Sequence, residues 1–221
     1  MDLILFDLDN TLLAGDSDYE WAQYLIEKGV RDREEHEARN LHFFESYKAG
    51  TLDIHEFLDY QLKPLASHPQ RTLKKWRKEY VATKILPIIT DKARELVNAA
   101  LRQTEYVLII TATNRFVTET IATEFGIKYL IGTEPEEIDG EFTGRVAGTP
   151  SFREGKITRL EEWLQARGLG VHSFDTTRFY SDSLNDLPLL NKVSEPIAVD
   201  PDDTLRSHAE AKGWPVISLR D

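Results

Sequence analysis

The sequence contains no cysteine and has fewer basic than acidic side chains. Without cysteine the chain cannot form disulfide bonds, thiolate nucleophiles or cysteine-ligated zinc sites, and such a composition is typical of a reducing compartment. Lysine and arginine together number 27 against 38 acidic residues, which gives a formal net charge of -11 at pH 7. This balance argues against nucleic acid as a partner, because the protein would repel a phosphate backbone.

Long apolar runs are also missing. The first apolar stretch, residues 3–6, is much shorter than the ~20 residues that span a bilayer, and Asp2 precedes it where a signal peptide would carry basic residues. The histidines do not show the spacing that zinc hydrolases use, since they lie at positions 36, 42, 55, 68, 172 and 208. We therefore expect a soluble, cytoplasmic protein with no membrane partner, while the sequence leaves its oligomeric state open.

Two carboxylates follow the first apolar stretch, in the segment Asp7-Leu8-Asp9-Asn10-Thr11. Residues two apart on a strand point the same way, so we expect Asp7 and Asp9 to face the space beyond the strand's carboxyl end. In open α/β sheets ligands bind at that edge. Adjacent carboxylates repel each other unless a cation or a shared proton relieves the repulsion. The segment therefore predicts a site for a hard divalent metal.

Four helical segments follow this strand and extend to about residue 81. Ser17 and Glu20 predict a capping box at the start of the first, and Asp32 and Asp53 are the predicted N-caps of the second and third. The fourth segment has apolar residues at helical spacing and ends before Pro87.

After Pro87 the pattern changes to helical segments that alternate with short apolar strands, which we predict at residues 106–111, 129–132, 178–181, 196–199 and 216–219. Residues 141–149 are rich in turn formers. This alternation is typical of a parallel α/β sheet. Far more chain separates the first two strands than the roughly two to six residues of a common α/β loop. We therefore predict a Rossmann-like α/β core, residues 1–13 and 87–221, and an inserted all-helical domain, residues 14–86, that can cover the carboxylates.

Other polar groups stand at the ends of predicted elements. Thr111 ends a strand, with Thr113 as an alternative for the same role, and Lys156 opens a helix. Asp182 follows another strand and is followed in turn by Asn185 and Asp186. Because the carboxyl ends of parallel strands meet in one crevice, we expect an oxygen-rich cation site beside a hydroxyl and an ammonium suited to an anion.

The ordered segments Asp7 to Thr11, Thr111, Lys156 and Ser181 to Asp186 resemble the four motifs of haloacid dehalogenase (HAD) phosphatases. The resemblance covers essentially the whole chain. The position of the helical insert is similar to that of subfamily IB, the branch that contains phosphoserine phosphatase. The resemblance implies the HAD fold with a C1-type cap domain. It also implies a Mg²⁺-dependent phosphomonoester hydrolase that acts on a small phosphorylated metabolite through an aspartyl-phosphate intermediate.

The resemblance further implies roles for the carboxylates. Asp7 would be the nucleophile, and Asp9 would protonate the leaving oxygen and later take a proton from water. Mg²⁺ would be bound by Asp7, the main-chain carbonyl of Asp9, and Asp182. The second acid favours a phosphatase over a dehalogenase of the same fold, which needs no acid at that position.

The remaining motif residues are implied in phosphate binding and support. Thr111 and Lys156 would hold the phosphoryl oxygens, and Asn10 is also expected at the phosphate. Asn185 and Asp186 would orient Lys156 and the metal ligands.

The substrate is less well indicated. Asp16 stands about where phosphoserine phosphatases present an acid to the substrate amine, but residues 51–62 contain no arginine or lysine to receive a carboxylate. Phosphoserine is therefore not the favoured substrate. Two alternatives stay open, a phosphotransferase of the same fold and a non-catalytic module that binds a phosphoryl ligand.

Overall fold

A computed structural model of the chain describes residues 1–220. They form a seven-stranded sheet with the strand order β4-β3-β2-β1-β5-β6-β7. Every neighbouring pair in this sheet is parallel except β3 and β4. The strands are β1 (Asp2–Phe6), β2 (Val107–Asn114), β3 (Tyr129–Ile138), β4 (Glu141–Ala147), β5 (Thr176–Ser181), β6 (Glu195–Val199) and β7 (Val216–Ile217).

Five α-helices lie between β1 and β2, and the others connect or follow the later strands. The first four are α1 (Ser17–Glu27), α2 (Arg33–Lys48), α3 (Ile54–Ala66) and α4 (Gln70–Tyr80). The later ones are α5 (Asp91–Gln103), α6 (Arg115–Glu124), α7 (Glu154–Gln165), α8 (Leu187–Leu190) and α9 (Asp203–Lys212). The predicted parallel α/β sheet with a helical insert is confirmed, whereas the division at residues 14 and 86 stays a prediction.

The central strand β1 is covered on both faces. Its residues 3–6 are at most 1% exposed, and they contribute alternately to two apolar clusters. Phe6 packs on the side that also carries Val107 and Tyr180, and Leu5 packs on the side of Leu108 and Phe179. A strand buried on both faces reads as a continuous apolar run, which is why β1 is easy to recognise in the sequence.

Most predicted helix starts agree with the structure, and one is wrong. Asp32 accepts a hydrogen bond from the Glu35 main-chain N–H, and Asp53 caps α3 in the same way. The first helix is capped by Asp16, which accepts from Tyr19, and not by Ser17. Both are good N-cap types. Ser17 is instead the first helical residue, and its main-chain N–H donates to Asp9.

The interpretation of residues 141–149 as turns is also wrong, because β4 covers most of them. β3 continues to Ile138 and returns through Asp139 and Gly140, whose φ angles of 52° and 82° suit a two-residue hairpin turn. β4 then packs on α3, and a Cβ at Gly144 would lie 3.1 Å from the Ala66 Cβ. The contact with α3 is long-range, so local composition did not indicate this strand.

The helices of the insert also pack on the core. Trp21 of α1 makes an edge contact with Phe116 of α6, at 6.0 Å between ring centroids. Arg77 of α4 donates to the Phe116 carbonyl at 2.6 Å. Within residues 1–220, no helix combines the length and the hydropathy needed to cross a membrane.

Candidate active site

The turn after β1 positions the first motif. Asp7 follows the strand directly and is buried, and residues 8–12 form one irregular turn in which Asn10 has a left-handed φ of 56°. Arg220 braces this turn by donating to the carbonyls of Asn10, Thr11 and Leu13. Asparagine tolerates left-handed backbone better than most residues. The turn therefore carries its acidic and hydroxyl side chains on a fixed backbone.

Lys156 joins two of the carboxylates. Its Nζ lies 2.8 Å from Asp7 Oδ1 and 2.8 Å from Asp186 Oδ2, and all three residues are buried. Ser181 Oγ donates to the same Asp186 oxygen at 2.7 Å. The lysine lies in the first turn of α7, where the helix dipole disfavours a cation, so these two carboxylates account for its position.

The charged groups around Lys156 shift one another's pKa values. Burial alone would lower the pKa of Lys156, but the charges and hydrogen bonds of Asp186 and Asp7 more than offset it, so the net pKa is raised. Burial raises the pKa of Asp7, and the charge of Lys156 opposes that shift. The ammonium is thus firmly protonated and remains available to an anion beside Asp7.

Asp182 lies on the other side of Asp7. The Thr11 hydroxyl is 3.0 Å from Asp182 Oδ1 and 3.5 Å from Asp7 Oδ2, and it accepts from the Asp182 main-chain N–H at 3.0 Å. Burial and the nearby charge of Asp7 raise the pKa of Asp182 well above its ordinary value. The structure therefore brings the two ends of the chain together, as the sequence predicted.

Asp9 points away from this pair. Its carboxylate accepts from the Ser17 main-chain N–H at 2.6 Å and from Thr113 Oγ1 at 2.7 Å, while Thr111 Oγ1 is 3.4 Å away. Burial, and then the charge of Asp16, raise the pKa of Asp9 to about 6, although the hydrogen bonds oppose the shift. A carboxyl group with such a pKa can exchange a proton near neutral pH.

The two threonines at the end of β2 have different contacts. Thr113, two residues after Thr111 and on the same face of the strand, makes the short hydrogen bond to Asp9. Thr111 Oγ1 accepts from the Thr113 main-chain N–H at 3.2 Å. A Cβ at Gly132 of β3 would lie 3.0 Å from the Thr113 carbonyl oxygen, so a larger residue there would press on this strand end.

Two other candidate residues lie near the rim. Asp16 is exposed, and its Oδ1 accepts from the Tyr19 main-chain N–H at 2.8 Å as the cap of α1. The side chain of Asn10 is exposed as well, and its main-chain N–H donates to the Gly15 carbonyl at 2.8 Å. Within residues 1–220, neither side chain is hydrogen-bonded to Lys156 or to its partners Asp7 and Asp186.

Sequence reasoning did not single out Tyr47 or Arg153. The Tyr47 hydroxyl of α2 lies 2.5 Å from Ser183 Oγ, and Arg153 Nε donates to Asn185 Oδ1 at 2.8 Å. Burial raises the pKa of Tyr47, so its hydroxyl stays protonated. Nothing in the helical pattern of residues 33–48 shows that this tyrosine reaches the core.

Sequence reasoning also did not single out Arg31 as a residue near the site. It donates to Gln61 Oε1 at 2.9 Å and to the Tyr60 carbonyl at 3.1 Å, within the stretch that lacks a cation of its own. Gln61 Nε2 in turn donates to Asp18 at 2.5 Å. Burial raises the pKa of Asp18 to about 7, with the charge of Arg31 opposing and that of Asp9 reinforcing the shift. A buried acid of α1 thus lies near enough to Asp9 for their charges to interact.

Comparison with known proteins agrees with this geometry. The haloacid dehalogenase-like hydrolase model matches residues 4–191. A protein of Neisseria meningitidis named histidinol-phosphatase is 47% identical over 219 residues, covering 99% of both chains.

Two solved structures share the fold of this chain. A protein of unknown function from Bordetella pertussis is 44% identical and superposes with a TM-score of 0.94 over 99% of both chains. A phosphoserine phosphatase in a phospho-aspartyl intermediate analogue form has a TM-score of 0.68 and 22% identity, over 99% of this chain and 93% of that one. The chain therefore belongs to the haloacid dehalogenase-like hydrolase family, and the prediction of a phosphatase with this fold is confirmed.

Proposed function

We propose that the protein is a Mg²⁺-dependent phosphomonoesterase in which Asp7 is the nucleophile. The observation that carries this proposal is the position of Asp7, buried between Lys156 Nζ at 2.8 Å and the Thr11 hydroxyl that it shares with Asp182. One carboxylate oxygen of Asp7 attacks phosphorus, and the bond from phosphorus to the leaving oxygen breaks, leaving an aspartyl-phosphate. Water then attacks the phosphorus and releases inorganic phosphate and free Asp7.

The oxygen donors present fit a divalent cation. Asp7, Asp182 and Asp186 carry up to three negative charges against the single ammonium of Lys156. Burial, and then the charges of Asp7 and Asp186, raise the pKa of Asp182. Within residues 1–220 no three acidic or histidine side chains are arranged to hold a metal ion by themselves. The proposed ligands are therefore the carboxylates of Asp7 and Asp182 together with the main-chain carbonyl of Asp9. When bound, Mg²⁺ supplies positive charge that reduces the repulsion between Asp7 and the phosphoryl group.

Asp9 supplies the proton chemistry. With a pKa raised to about 6 it can donate a proton to the leaving oxygen and, once ionised, accept one from the attacking water. Thr113 and the Ser17 main-chain N–H hold its carboxylate in one orientation. Because Ser17 begins the insert's first helix, the acid is oriented by both the core and the insert.

Lys156 and the β2 terminus provide the phosphate site. Lys156 balances the charge of the phosphoryl oxygens next to Asp7, and the Thr111 hydroxyl donates to one of them. Asp186 and Ser181 keep the lysine in place. Asn10, at the exposed turn, completes the expected phosphate contacts, and Asn185 is the supporting residue of the neighbouring loop.

For the substrate we propose a phosphate ester of a small amino alcohol that carries no carboxylate, with histidinol phosphate as the first candidate. Support comes from the relative named histidinol-phosphatase, at 47% identity over 99% of both chains. The acids Asp16 and Asp18 flank Asp9 on the insert side and favour a cationic leaving group. Arg31, the cation of that region, is committed to Gln61 and Tyr60 and is not free to receive a carboxylate.

The nucleophile is tested with Asp7→Asn and a panel of phosphate esters. The wild-type enzyme should release phosphate in the presence of Mg²⁺ and lose this activity reversibly on chelation. Asp7→Asn should lose turnover by at least about a thousandfold while its far-UV circular dichroism stays native. Full activity in Asp7→Asn would contradict the assignment.

The substrate class is tested by ranking catalytic efficiency for histidinol phosphate, phosphoserine, phosphoethanolamine and p-nitrophenyl phosphate. We expect histidinol phosphate to exceed phosphoserine by at least about tenfold, because Asp16 favours a cationic ester and Arg31 is already hydrogen-bonded to Gln61 and Tyr60. Asp16→Asn, which can still cap α1, should raise KM for the cationic ester and leave the aryl ester unchanged. Equal or better turnover of phosphoserine would refute this substrate class.

A further inference from the structure

Tyr47, in helix α2 of the insert, contacts the loop of residues 182–186 in the core. Its hydroxyl lies 2.5 Å from Ser183 Oγ, directly after Asp182, although 136 positions separate the two residues. Its ring also lies near Phe152, at 6.3 Å between centroids. The insert thus has a polar contact with the loop of residues 182–186 and an aromatic contact with the segment before α7.

Ser183 belongs to a hydrogen-bonded series that leads to the nucleophile. Its main-chain N–H donates to Ser181 Oγ at 3.2 Å, and Ser181 Oγ donates to Asp186 at 2.7 Å. Asp186 accepts from Lys156, which also contacts Asp7. A displacement of Ser183 would therefore be transmitted to the groups that position the phosphoryl site.

Asn185, in the same loop, is constrained from the core side. Arg153 Nε donates to Asn185 Oδ1 at 2.8 Å, which leaves the amide NH₂ as the group that can face a ligand. Arg153 itself has a left-handed φ of 50°, and it lies against Gly50 at the end of α2, where a Cβ would meet its Nη2 at 3.4 Å. A non-glycine residue keeps such a backbone only where its surroundings hold it. Ser183 Oγ also accepts from the Asn185 main-chain N–H at 3.2 Å.

We propose that Tyr47 is a positioning residue for the reaction, because its hydroxyl docks the helical insert on Ser183 and so holds the loop of residues 182–186 in its catalytic arrangement. This inference rests on the proposed phosphomonoesterase function. Tyr47 acts through Ser183 and does not itself contact the reacting atoms. Through this hydroxyl the geometry of the loop depends on how the insert packs against the core.

The test compares Tyr47→Phe with Tyr60→Phe. Tyr47→Phe removes the hydroxyl and keeps the ring beside Phe152. Tyr60→Phe removes a hydroxyl from the same insert, where the Tyr60 contact at 3.4 Å is to His36 of the insert itself. We expect kcat for p-nitrophenyl phosphate to fall about tenfold in Tyr47→Phe, with KM changed less than about twofold, because a lost hydrogen bond of typical strength corresponds to that factor. Tyr60→Phe should keep wild-type kinetics.

A second measurement does not need turnover. Amide hydrogen exchange of residues 182–186, followed by mass spectrometry, should be faster in Tyr47→Phe than in Tyr60→Phe or the wild type. Ser183→Ala breaks the same bond from the core side, and the double variant should lie within about twofold of the more impaired single variant.

The outcomes separate the two proposals. Unchanged exchange and unchanged kcat in Tyr47→Phe would overturn the positioning role, while an active wild type would leave the proposed function intact. A wild type that hydrolyses none of the esters would overturn the proposed function, and exchange would still decide whether Tyr47 orders the loop. If Tyr47→Phe does not fold, Ser183→Ala tests the same positioning role by kcat and by amide hydrogen exchange.

Discussion

Lys156 Nζ lies 2.8 Å from Asp7 Oδ1, and this contact joins residues 149 positions apart in a buried site. The same ammonium contacts Asp186, so one cation serves two carboxylates. Taking such charges out of water is costly unless each of them has a partner. The three side chains therefore depend on one another, and removing the lysine has consequences for folding as well as for phosphate binding.

Lys156→Met should destabilise the protein by about 3 kcal/mol at pH 8 and lower kcat/KM at least about a hundredfold. Asp7 and Asp186 would then be buried without their cation. The penalty should be smaller at pH 5, where Asp7, whose pKa is raised by burial, can bind a proton. Urea unfolding at both pH values measures the loss in the free energy of unfolding. Lys74→Met, at an exposed lysine, is the control. Equal stability of Lys156→Met and Lys74→Met would contradict the structural role.

Asp9→Asn should slow the enzyme in a way that depends on the leaving group. An alkyl alkoxide needs a proton as it departs, whereas p-nitrophenolate does not. We expect kcat for histidinol phosphate to fall at least about a hundredfold, and kcat for p-nitrophenyl phosphate to fall much less. Single-turnover kinetics on the two esters measure the difference. A uniform loss on both would count against Asp9 as the general acid.

Thr113→Val should change the pH dependence of the enzyme, and Thr111→Val should not. The Thr113 hydroxyl stabilises the ionised form of Asp9 at 2.7 Å, so its removal raises the pKa of Asp9 above about 6. The fall in kcat/KM for an alkyl ester at rising pH, which follows ionisation of the acid, should then move to higher pH. Thr111→Val should instead raise KM for every ester. Coincident pH profiles for the wild type and Thr113→Val would rule out this role for Thr113.

Asp18→Asn should alter how stability depends on pH. The pKa of Asp18 is raised from 3.8 to about 7 in the folded protein, so the folded state keeps a proton that the unfolded state has lost. The contribution of Asp18 to stability is complete below about pH 4 and is lost as the pH rises to about 7. Asp18→Asn removes this loss and should gain stability over the wild type between pH 4 and pH 8, by up to about 4 kcal/mol.

Urea titrations at pH 4, 6 and 8 check this expectation. Asp59→Asn, at an exposed aspartate of α3, is the control and should follow the wild type. The asparagine can still accept the hydrogen bond from Gln61, so packing is preserved. A constant difference between Asp18→Asn and the wild type across these pH values would show that Asp18 is ionised in the folded protein.

The local pattern of the chain was enough to predict the α/β core and the first motif. β1 is a continuous apolar run because it is buried on both faces, and Asp7 follows it directly. Helix caps such as Asp32 and Asp53 are read correctly since capping depends on residues three positions apart. The same local signals led to the family, and through it to Lys156 and Asp182 as companions of Asp7.

Only the tertiary structure decided the contacts between distant segments. β4 pairs with β3 and packs on α3, Thr113 takes the short contact with Asp9, and Tyr47 reaches Ser183 across 136 positions. Local pattern constrains backbone conformation and the face on which a side chain lies, because both depend on near neighbours. The packing of the helices and the sheet in three dimensions determines which distant side chain fills a given position. The local pattern does not specify this packing.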